Sequence, residues 1–388
     1  MPRSLTASAP GKLILAGEHA VVYGRPALVA AVDLRLSATI VERPERRPRT
    51  VRLDVPGVGV VEEVAWARVR DHARSARERW EAWARGSGAA SFAAVRGGDP
   101  SHVVKVALGE AARFLGDDKP PSLDLAIRSE LPLGSGFGSS AAAAVAVVAA
   151  YLALRGAAPS SADLESVARE VERRQHGLPS GVDAATVLHG GVLWAERGGD
   201  GCLAVEPFPG RSPLLADLAV FDTGTPLEGT GAVVAAVRDR FAREPGRLAA
   251  AWDAIEAATR ALRAPLEETA PAAGPAPSAI PRDAARRRLG ELIRACQAGL
   301  EELGVVPAPV RELVRRIEAE GGAAKVSGAG ALSGHGAGSL IVLHPRPERI
   351  GEWSFLGRLA RYPVSLGGPG LRIESGAAVR PRPAEVRR

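Results

Sequence analysis

The sequence predicts an α+β protein with two domains. Its 388 residues are long for a single hydrophobic core, so two domains are the better expectation. Strand-like and helix-like segments alternate irregularly and without an internal repeat, which argues against a doubly wound α/β sheet. Composition changes near residue 220, after which helical segments dominate. We therefore predict one domain over residues 1–220 and a second over 221–388.

The first half is predicted to contain both strands and helices. Apolar runs and two-residue alternation predict strands, whereas apolar positions three and four apart predict helices. The predicted strands are residues 12–16, 28–40, 51–61 and 122–130. The predicted helical segments are 103–115, the alanine-rich run ending at Leu154, and 161–176, with 62–97 interpreted as helix and loop.

The second half is predicted to be mainly helical before it closes with strands. The helical segments are 231–263, 282–304 and 308–320, and the strands lie near 324–327, 338–343 and 371–375. Residues 264–281, APLEETAPAAGPAPSAIP, are rich in proline and alanine. We expect a mobile loop there, because proline removes backbone donors that regular structure needs.

Composition argues against several classes of function. The net charge of +6 comes from arginines whose clusters contain no aromatic residues, so nucleic-acid binding is not expected. Cys202 and Cys296 lie far apart, which favours neither a disulfide framework nor a zinc site. The N-terminal segment MPRSLTASAPGKL contains no apolar core of signal-peptide length, and the longest apolar run, which ends at Leu154, is too short to span a bilayer. We expect a cytoplasmic protein without membrane association, and the positive charge suits an anionic substrate.

The most informative segment is Leu131–Ala150, LPLGSGFGSSAAAAVAVVAA. Gly134, Gly136 and Gly138 let the backbone approach a ligand closely, and the alanine-rich run that follows is a strong helix former. The loop therefore leads into a helix N-terminus, where free N–H groups favour a phosphate. No lysine follows the last glycine, so this is not a Walker-type P-loop. A plain turn that caps a buried helix is the alternative.

Two further segments contain candidate catalytic and metal-binding residues. In PGKLILAGEHAVVYG, Lys12 could reach a phosphate or a substrate hydroxyl, and Glu18 and His19 follow the strand; a surface lysine and a structural histidine are the alternatives. In ERRQHGLPSGVD, a rigid turn places Asp183 as a candidate for deprotonating a hydroxyl. Asp183 could instead cap a helix beginning at Ala184. Glu172 could bind Mg²⁺, or lie on a solvated helix face.

A third glycine-rich segment is KVSGAGALSGHGAGSL, beginning at Lys325. Taken together, the segments resemble the signature motifs of the GHMP kinase superfamily, in the family's order and over nearly the whole chain. Within that superfamily, GEHAVVYGRPALVAAVDLR and HGLPSGVDAATVLHGG are most similar to the mevalonate kinases.

The resemblance implies a fold and an activity. The fold would combine a ribosomal protein S5 domain 2-like N-terminal domain with a ferredoxin-like C-terminal domain, and the active site would lie between them. The activity would be phosphorylation of the 5-hydroxyl of (R)-mevalonate by ATP with Mg²⁺, in the mevalonate route to isoprenoids. The implied partners are this small molecule and ATP, with a homodimer as the expected assembly.

The resemblance also implies roles for individual residues. Asp183 matches the catalytic aspartate, and Lys12 matches a lysine that lowers the pKa of the acceptor hydroxyl and contacts the transferred phosphate. The residues that match the loop over the triphosphate, with a nearby nucleotide contact, are Gly134, Ser135, Gly136, Phe137, Gly138, Ser139, Ser140 and Ser129. The residues that match the magnesium ligands are Ser140 and Glu172. The residues that match positions near the acceptor and the γ-phosphate are Glu18, His19 and Thr230.

Three departures from the family pattern bear on the substrate. Gly57 stands where mevalonate kinases often have an asparagine that contacts the nucleotide. The third glycine segment is longer than usual and contains His335. Near Thr230, Glu228 and Gly231 replace basic residues, which removes positive charge near the expected acceptor carboxylate. Phosphomevalonate kinase, a sugar kinase and a catalytically silent sensor are therefore the alternative functions.

Overall fold

The computed structural model describes residues 3–44, 48–86, 92–198, 201–210, 212–270 and 281–375. These residues form two β-sheets, of eight and four strands, with helices packed against them. The strands are β1 (Ser4–Ala16), β2 (Ala27–Glu42), β3 (Thr50–Val55), β4 (Val60–Ala65), β5 (Leu123–Ser129), β6 (Val192–Arg197), β7 (Leu203–Pro207), β8 (Ala219–Asp222), β9 (Ala323–Ser327), β10 (Ser339–Leu343), β11 (Ala360–Tyr362) and β12 (Arg372–Ser375). The α-helices are α1 (Trp66–Ala84), α2 (Phe92–Arg96), α3 (His102–Phe114), α4 (Ser139–Leu154), α5 (Ser161–His176), α6 (Val182–His189), α7 (Thr230–Arg243), α8 (Pro245–Thr269), α9 (Arg282–Glu302) and α10 (Ala308–Ala319).

The larger sheet has the strand order β12-β1-β2-β5-β3-β4, with β6 also paired to β2 and β7 paired to β6. All of its pairs are antiparallel except β3 with β5. The pairing of β1 with β2 shifts register between Pro10 and Lys12. At this irregularity a Cβ on Gly11 would lie 2.4 Å from Leu131 Cδ2 and 2.8 Å from the Phe137 carbonyl oxygen. Glycine at position 11 therefore lets β1 touch the glycine-rich loop directly.

Helix α4 is the centre of the larger core. All of its residues except Ser139, Ser140 and Ala153 are buried. It packs on β1 and β2 and is surrounded by α3, α5 and α6. A helix that is apolar on every side needs such complete cover, which explains why its sequence lacks an amphipathic pattern. Its N-terminus emerges at the glycine-rich loop, as the sequence predicts.

The smaller sheet has the order β11-β8-β10-β9 and is antiparallel throughout. Helices α9 and α10 pack on β9, and α8 packs on α9. The first strand of this sheet begins at Ala219, close to the predicted domain boundary. The last strand, β12, pairs instead with β1 of the larger sheet, so the chain returns to its first sheet before residue 376. The domain boundary itself stays a prediction.

The α+β class is confirmed, and several predicted elements need correction. Residues 51–61 are not one strand: Gly59 adopts a left-handed φ of 69° and turns the chain from β3 into β4. The helix predicted over 231–263 is two helices that meet at Glu244. Helix α8 continues to Thr269, so the first part of the predicted loop 264–281 is helical. Pro265 is buried there, and its packing outweighs its lost hydrogen bond.

Other segments were missed or lie outside the described residues. Residues 20–23, within a predicted loop, form a short 3₁₀ turn. The strands that sequence reasoning missed are β6, β7, β8 and β11, which are three to six residues long. The remainder of the predicted proline-rich loop, 271–280, is outside the described residues. Across the described part of the chain, no helix combines the length and the apolar character needed to span a bilayer.

The close contact of α1 with α3 predicts the effect of one substitution. A Cβ on Gly109 would lie 2.4 Å from the Ala73 Cβ, so Gly109→Ala forces the two helices apart. We expect the free energy of unfolding to fall by about 1–3 kcal/mol, although alanine is the better helix former. Urea denaturation followed by circular dichroism measures this. Gly246→Ala is the control, because no atom lies within 4 Å of its Cβ position; it should be neutral or stabilising. A Gly109→Ala protein as stable as Gly246→Ala would contradict the packing.

Candidate active site

Lys12 and Asp183 form an ion pair beside the glycine-rich loop. The Lys12 Nζ lies 3.0 Å from Asp183 Oδ1, and the Lys12 backbone N–H donates to the Phe137 carbonyl at 2.8 Å. Lys12 is only 3% exposed, so it is not a surface lysine. Asp183 lies in the first turn of α6, whose N-cap is Gly181, and therefore does not cap the helix. Its side chain is 31% exposed, which leaves the carboxylate accessible to a ligand.

The last glycine of the loop makes room for this lysine. Gly138 has a φ of 73° and is the N-cap of α4, and a Cβ there would lie 2.9 Å from Lys12 Cγ. Any other residue would therefore strain the backbone and displace the Lys12 side chain. The free N–H groups at the start of α4 and the ammonium group of Lys12 consequently lie side by side, an arrangement that attracts phosphate.

The loop is held from its other side by the smaller sheet. Ser135 is buried; its hydroxyl donates to Asp222 Oδ2 at 2.8 Å, and its carbonyl accepts the Ser339 N–H at 2.9 Å. Phe137 is also buried and packs edge-on against Tyr362, with ring centroids 5.1 Å apart. These two side chains are therefore packed into the core, and their backbone carbonyls are bound to Ser339 and Lys12. The structure thus separates Ser135 and Phe137 from the more exposed loop residues Gly134, Ser139 and Ser140.

Glu172 and Ser140 approach the ion pair from α5 and α4. Glu172 is 2% exposed, so the solvated-face alternative is wrong. Its Oε2 is buried without a hydrogen-bond partner. Burial, and next the negative charge of Asp183, raise the pKa of Glu172 to about 8. Ser140 Oγ lies 2.8 Å from His176 Nε2.

His176 is a site residue that sequence reasoning missed. Burial is the main cause that lowers its pKa to about 4, with Lys12 acting in the same direction and Asp183 opposing. The imidazole is therefore neutral at physiological pH, and its Nε2 can accept a hydrogen bond from the Ser140 hydroxyl. The residue stands inside the quoted motif ERRQHGLPSGVD, so its position was visible although its role was not.

Glu18 and His19 connect the end of β1 to the smaller sheet. The Glu18 carboxylate is 1% exposed and forms an ion pair with Lys325 of β9, which is fully buried. Lys325 also donates to the carbonyls of Ile14 at 3.2 Å and Val326 at 2.9 Å. His19 has a left-handed φ of 56°, and its Nε2 lies 2.9 Å from the Ala329 carbonyl oxygen. The structure therefore gives Glu18 a structural partner and does not expose its carboxylate.

The remaining sequence-derived candidates lie around these groups. Thr230 is the first residue of α7 and is exposed. Ser129 accepts the Leu131 N–H at 3.0 Å at the start of the glycine-rich loop. Gly57 lies in the β3–β4 turn, where its Cβ position is 3.4 Å from Leu133 of the same loop. Glu228 accepts the Leu332 N–H at 3.1 Å and the Ser333 hydroxyl, so it belongs to the third glycine segment.

Known proteins are similar to this chain in sequence. Residues 101–191 match the model of the GHMP kinase N-terminal domain. The chain is 32% identical to a mevalonate kinase from Bos taurus, over 97% of this chain and 96% of that protein. The chain belongs to the GHMP kinase family. It is also 30% identical to a mevalonate kinase from Pyrococcus furiosus, covering 88% of this chain and 90% of the relative.

Solved structures of other GHMP kinases share the fold. A mevalonate kinase from L. major in complex with R-mevalonate aligns with a TM-score of 0.63 at 21% identity, covering 93% of this chain and 95% of that one. A Streptococcus pneumoniae phosphomevalonate kinase aligns with the same TM-score at 15% identity, covering 93% of this chain and 99% of that one. At these identities the alignments establish the fold and leave the acceptor open.

The residues of this GHMP kinase fit a magnesium ion that arrives with a nucleotide. Among the described residues, no group of three or more His, Cys, Asp or Glu side chains could hold a metal without other ligands. Mg²⁺ commonly needs only one or two carboxylates when phosphates and water complete its shell. The unpartnered Oε2 of Glu172 and the hydroxyl of Ser140 supply such ligands. A nearby cation would also offset the charge that burial makes costly on Glu172.

The raised pKa of Glu172 predicts a pH-dependent stability. The folded pKa of about 8 lies above the ordinary value of 4.5, so the folded state holds the proton more tightly. Stability from this group is therefore full below about pH 4.5 and is lost as the pH rises towards 8, by up to about 1.4 kcal/mol per pH unit. We expect Glu172→Gln to remove this loss in magnesium-free urea denaturation from pH 5 to 8.5.

The control for this measurement is Glu291→Gln, which changes an exposed glutamate of α9. It should follow the wild-type pH dependence. If Glu172→Gln also follows the wild-type curve, Glu172 does not titrate as described.

Proposed function

We propose that this GHMP kinase transfers the γ-phosphoryl group of ATP to the 5-hydroxyl of (R)-mevalonate, giving 5-phosphomevalonate and ADP. The Lys12–Asp183 ion pair at the N-terminus of α4 is the observation that supports phosphoryl transfer. It places a proton acceptor and a positive charge beside a helix end that is suited to bind phosphate. The identity of the acceptor is inferred from the relatives, which are named mevalonate kinase in both mammals and archaea.

Asp183 is proposed as the proton acceptor. Its carboxylate is partly exposed, whereas that of Glu172 is buried and has a raised pKa. The acceptor oxygen loses its proton to Asp183 and forms a bond to the γ-phosphorus, while the bond from that phosphorus to the bridging oxygen breaks and ADP leaves. Lys12, beside the acceptor oxygen, stabilises the negative charge on the transferred group.

The glycine-rich loop is proposed to bind the triphosphate. Gly134, Gly136 and Gly138 all have positive φ, which exposes successive backbone N–H groups. Ser139 and Ser140 open helix α4 at the end of this loop. Ser135 and Phe137 contribute through the backbone, because their side chains are buried in the core. Ser129 is proposed to contact the nucleotide from the start of the loop.

Ser140 and Glu172 are proposed to hold Mg²⁺. A bound Mg²⁺ supplies charge neutralisation to the phosphates. The Ser140 hydroxyl and His176 Nε2 form a hydrogen bond of 2.8 Å. With the imidazole nitrogen as the proposed acceptor, the lone pairs of the Ser140 oxygen are free for the cation. Of the two proposed ligands, Glu172 supplies the carboxylate, which is buried and would become fully ionised when the cation is present.

The acceptor is proposed to lie between β1 and the start of α7. His19 and Thr230 are the proposed contacts on this side. Glu18 is proposed to act through Lys325, which it holds against the end of β1, so that it positions His19 and does not itself bind the acceptor. A homodimer and a cytoplasmic location stay predictions.

Acceptor specificity provides the direct test of this proposal. Purified protein with Mg-ATP should release ADP with mevalonate and not with 5-phosphomevalonate, galactose or homoserine. Removal of Mg²⁺ with EDTA should abolish turnover, and re-addition should restore it. Turnover with 5-phosphomevalonate alone would keep the mechanism and replace the acceptor. Nucleotide binding without turnover on any of the four would contradict the proposal and favour the sensor alternative.

A further inference from the structure

Arg96 is an exposed arginine near the candidate site. It ends helix α2, and within the described residues it makes neither an ion pair nor a side-chain hydrogen bond. Its Nη1 lies 4.0 Å from the Cβ position of Gly229, the residue that precedes α7. The guanidinium group therefore reaches the start of α7, where Thr230 stands.

Helix α2 is fixed in this position by Phe92. The Phe92 ring packs edge-on against Trp83, with centroids 5.2 Å apart. A Cβ on Gly231 would lie 3.0 Å from this ring and 3.0 Å from the His176 carbonyl oxygen, and a Cβ on Gly177 would lie 3.1 Å from the ring. Two glycines, one after α5 and one in α7, thus leave the space that Phe92 fills.

This packing gives Gly231 a physical explanation. A Cβ at position 231 would lie 3.0 Å from both Phe92 and the end of α5, so a side chain there would require Phe92 or α2 to shift from its position between α5 and α7. Because Gly231 has no side chain, α2 can pack here and bring Arg96 close to the start of α7. Arg96 of α2 thereby brings a positive charge to the start of α7.

The end of α5 connects the start of α7 to the reaction centre. The His176 carbonyl oxygen lies 3.0 Å from the Gly231 Cβ position, and α2 packs against both α5 and α7. The His176 Nε2 in turn lies 2.8 Å from Ser140 Oγ. Arg96 and the Lys12–Asp183 pair therefore approach one site from different elements.

The acidic residue of the neighbouring loop does not neutralise Arg96. Glu228 is bound to the Leu332 N–H and to the Ser333 hydroxyl, and it makes no ion pair with Arg96. An exposed guanidinium group that keeps its charge free is suited to a carboxylate, which its planar fork can bind through two parallel hydrogen bonds.

We propose that Arg96 binds the carboxylate of the hydroxy-acid acceptor and thereby selects an acidic substrate. This inference rests on the proposed function, in which the reacting hydroxyl lies at Asp183. In mevalonate the carboxylate is at the opposite end of the chain from that hydroxyl. Lys12 and the N-terminus of α4 already neutralise the charge of the phosphates. Among the described residues, Arg96 is the unpaired cation at the start of α7, so it is the residue available to the carboxylate.

The first test compares Arg96→Ala with the wild type. A lost charge-assisted pair should raise the KM for mevalonate about 10- to 100-fold, while kcat and the KM for ATP stay within about 3-fold. Arg96→Lys keeps the charge without the fork and should be intermediate. Arg68→Ala is the matched control and should behave as wild type, because this exposed α1 arginine has no hydrogen-bond or ion-pair partner in the part of the chain that the structure describes.

The second test removes the carboxylate from the acceptor. 3-Methylpentane-1,3,5-triol keeps the hydroxyls of mevalonate and replaces its acid group. The wild type should prefer mevalonate to this triol, and Arg96→Ala should lose most of that preference with little change in its use of the triol. Equal losses with both acceptors, or a fall in kcat at unchanged KM, would overturn the proposal; the latter would assign Arg96 to the transferred phosphoryl group.

Binding separates this inference from the proposed function. Calorimetric titration of mevalonate into protein loaded with a non-hydrolysable ATP analogue and Mg²⁺ needs no turnover. Weaker binding to Arg96→Ala than to wild type supports the assignment even if the wild type phosphorylates a different acid. Equal binding to both proteins, or no binding to either, contradicts it.

Discussion

Lys12 is the residue through which the parts of the candidate site depend on one another. Its backbone N–H is bound to the glycine-rich loop at Phe137, and its ammonium group is paired with Asp183 of α6. A lysine that is 3% exposed needs such a partner, because an unpaired buried charge is costly. Gly138 supplies space for its side chain, since a Cβ there would lie 2.9 Å from Lys12 Cγ, and Gly11 lets β1 approach the loop, since a Cβ there would lie 2.8 Å from the Phe137 carbonyl oxygen. The strand, the loop and the two helix N-termini are thus held in one arrangement by the backbone and side chain of one residue.

The second sheet completes this arrangement from the opposite side. Ser135 binds Asp222 of β8, and Glu18 binds Lys325 of β9, so both the loop and the end of β1 are anchored to strands of the smaller sheet. The Glu18–Lys325 pair is almost fully buried, and burial raises the pKa of Glu18 against the opposing effect of Lys325. Loss of either partner would leave an uncompensated charge in the core. Contacts from distant parts of the chain therefore fix the geometry on which phosphoryl transfer depends.

The sequence predicted the α+β class and the alanine-rich helix after the glycine loop, because glycine spacing and apolar runs are local signals. The joint role of Lys12 and Asp183 was implied only by the resemblance to the GHMP kinases. The sequence could not predict the turn at Gly59 or the helical continuation through Pro265, where packing overrides local preference. It also missed His176 and Arg96. A single histidine or arginine carries no signal until the fold brings α2, α5 and α7 together. From the sequence alone Gly231 is interpreted as a lost charge, whereas in the fold Phe92 occupies the space beside it.

The central claim is that Asp183 takes the proton of the acceptor beside Lys12. Single-turnover phosphoryl transfer by Asp183→Asn, measured together with nucleotide affinity, tests it most directly. Asparagine keeps an oxygen that can accept from Lys12, so the fold and ATP binding should persist. We expect the rate to fall about 10²- to 10⁴-fold with nearly unchanged nucleotide affinity. A rate close to wild type would contradict the assignment of Asp183 as the base.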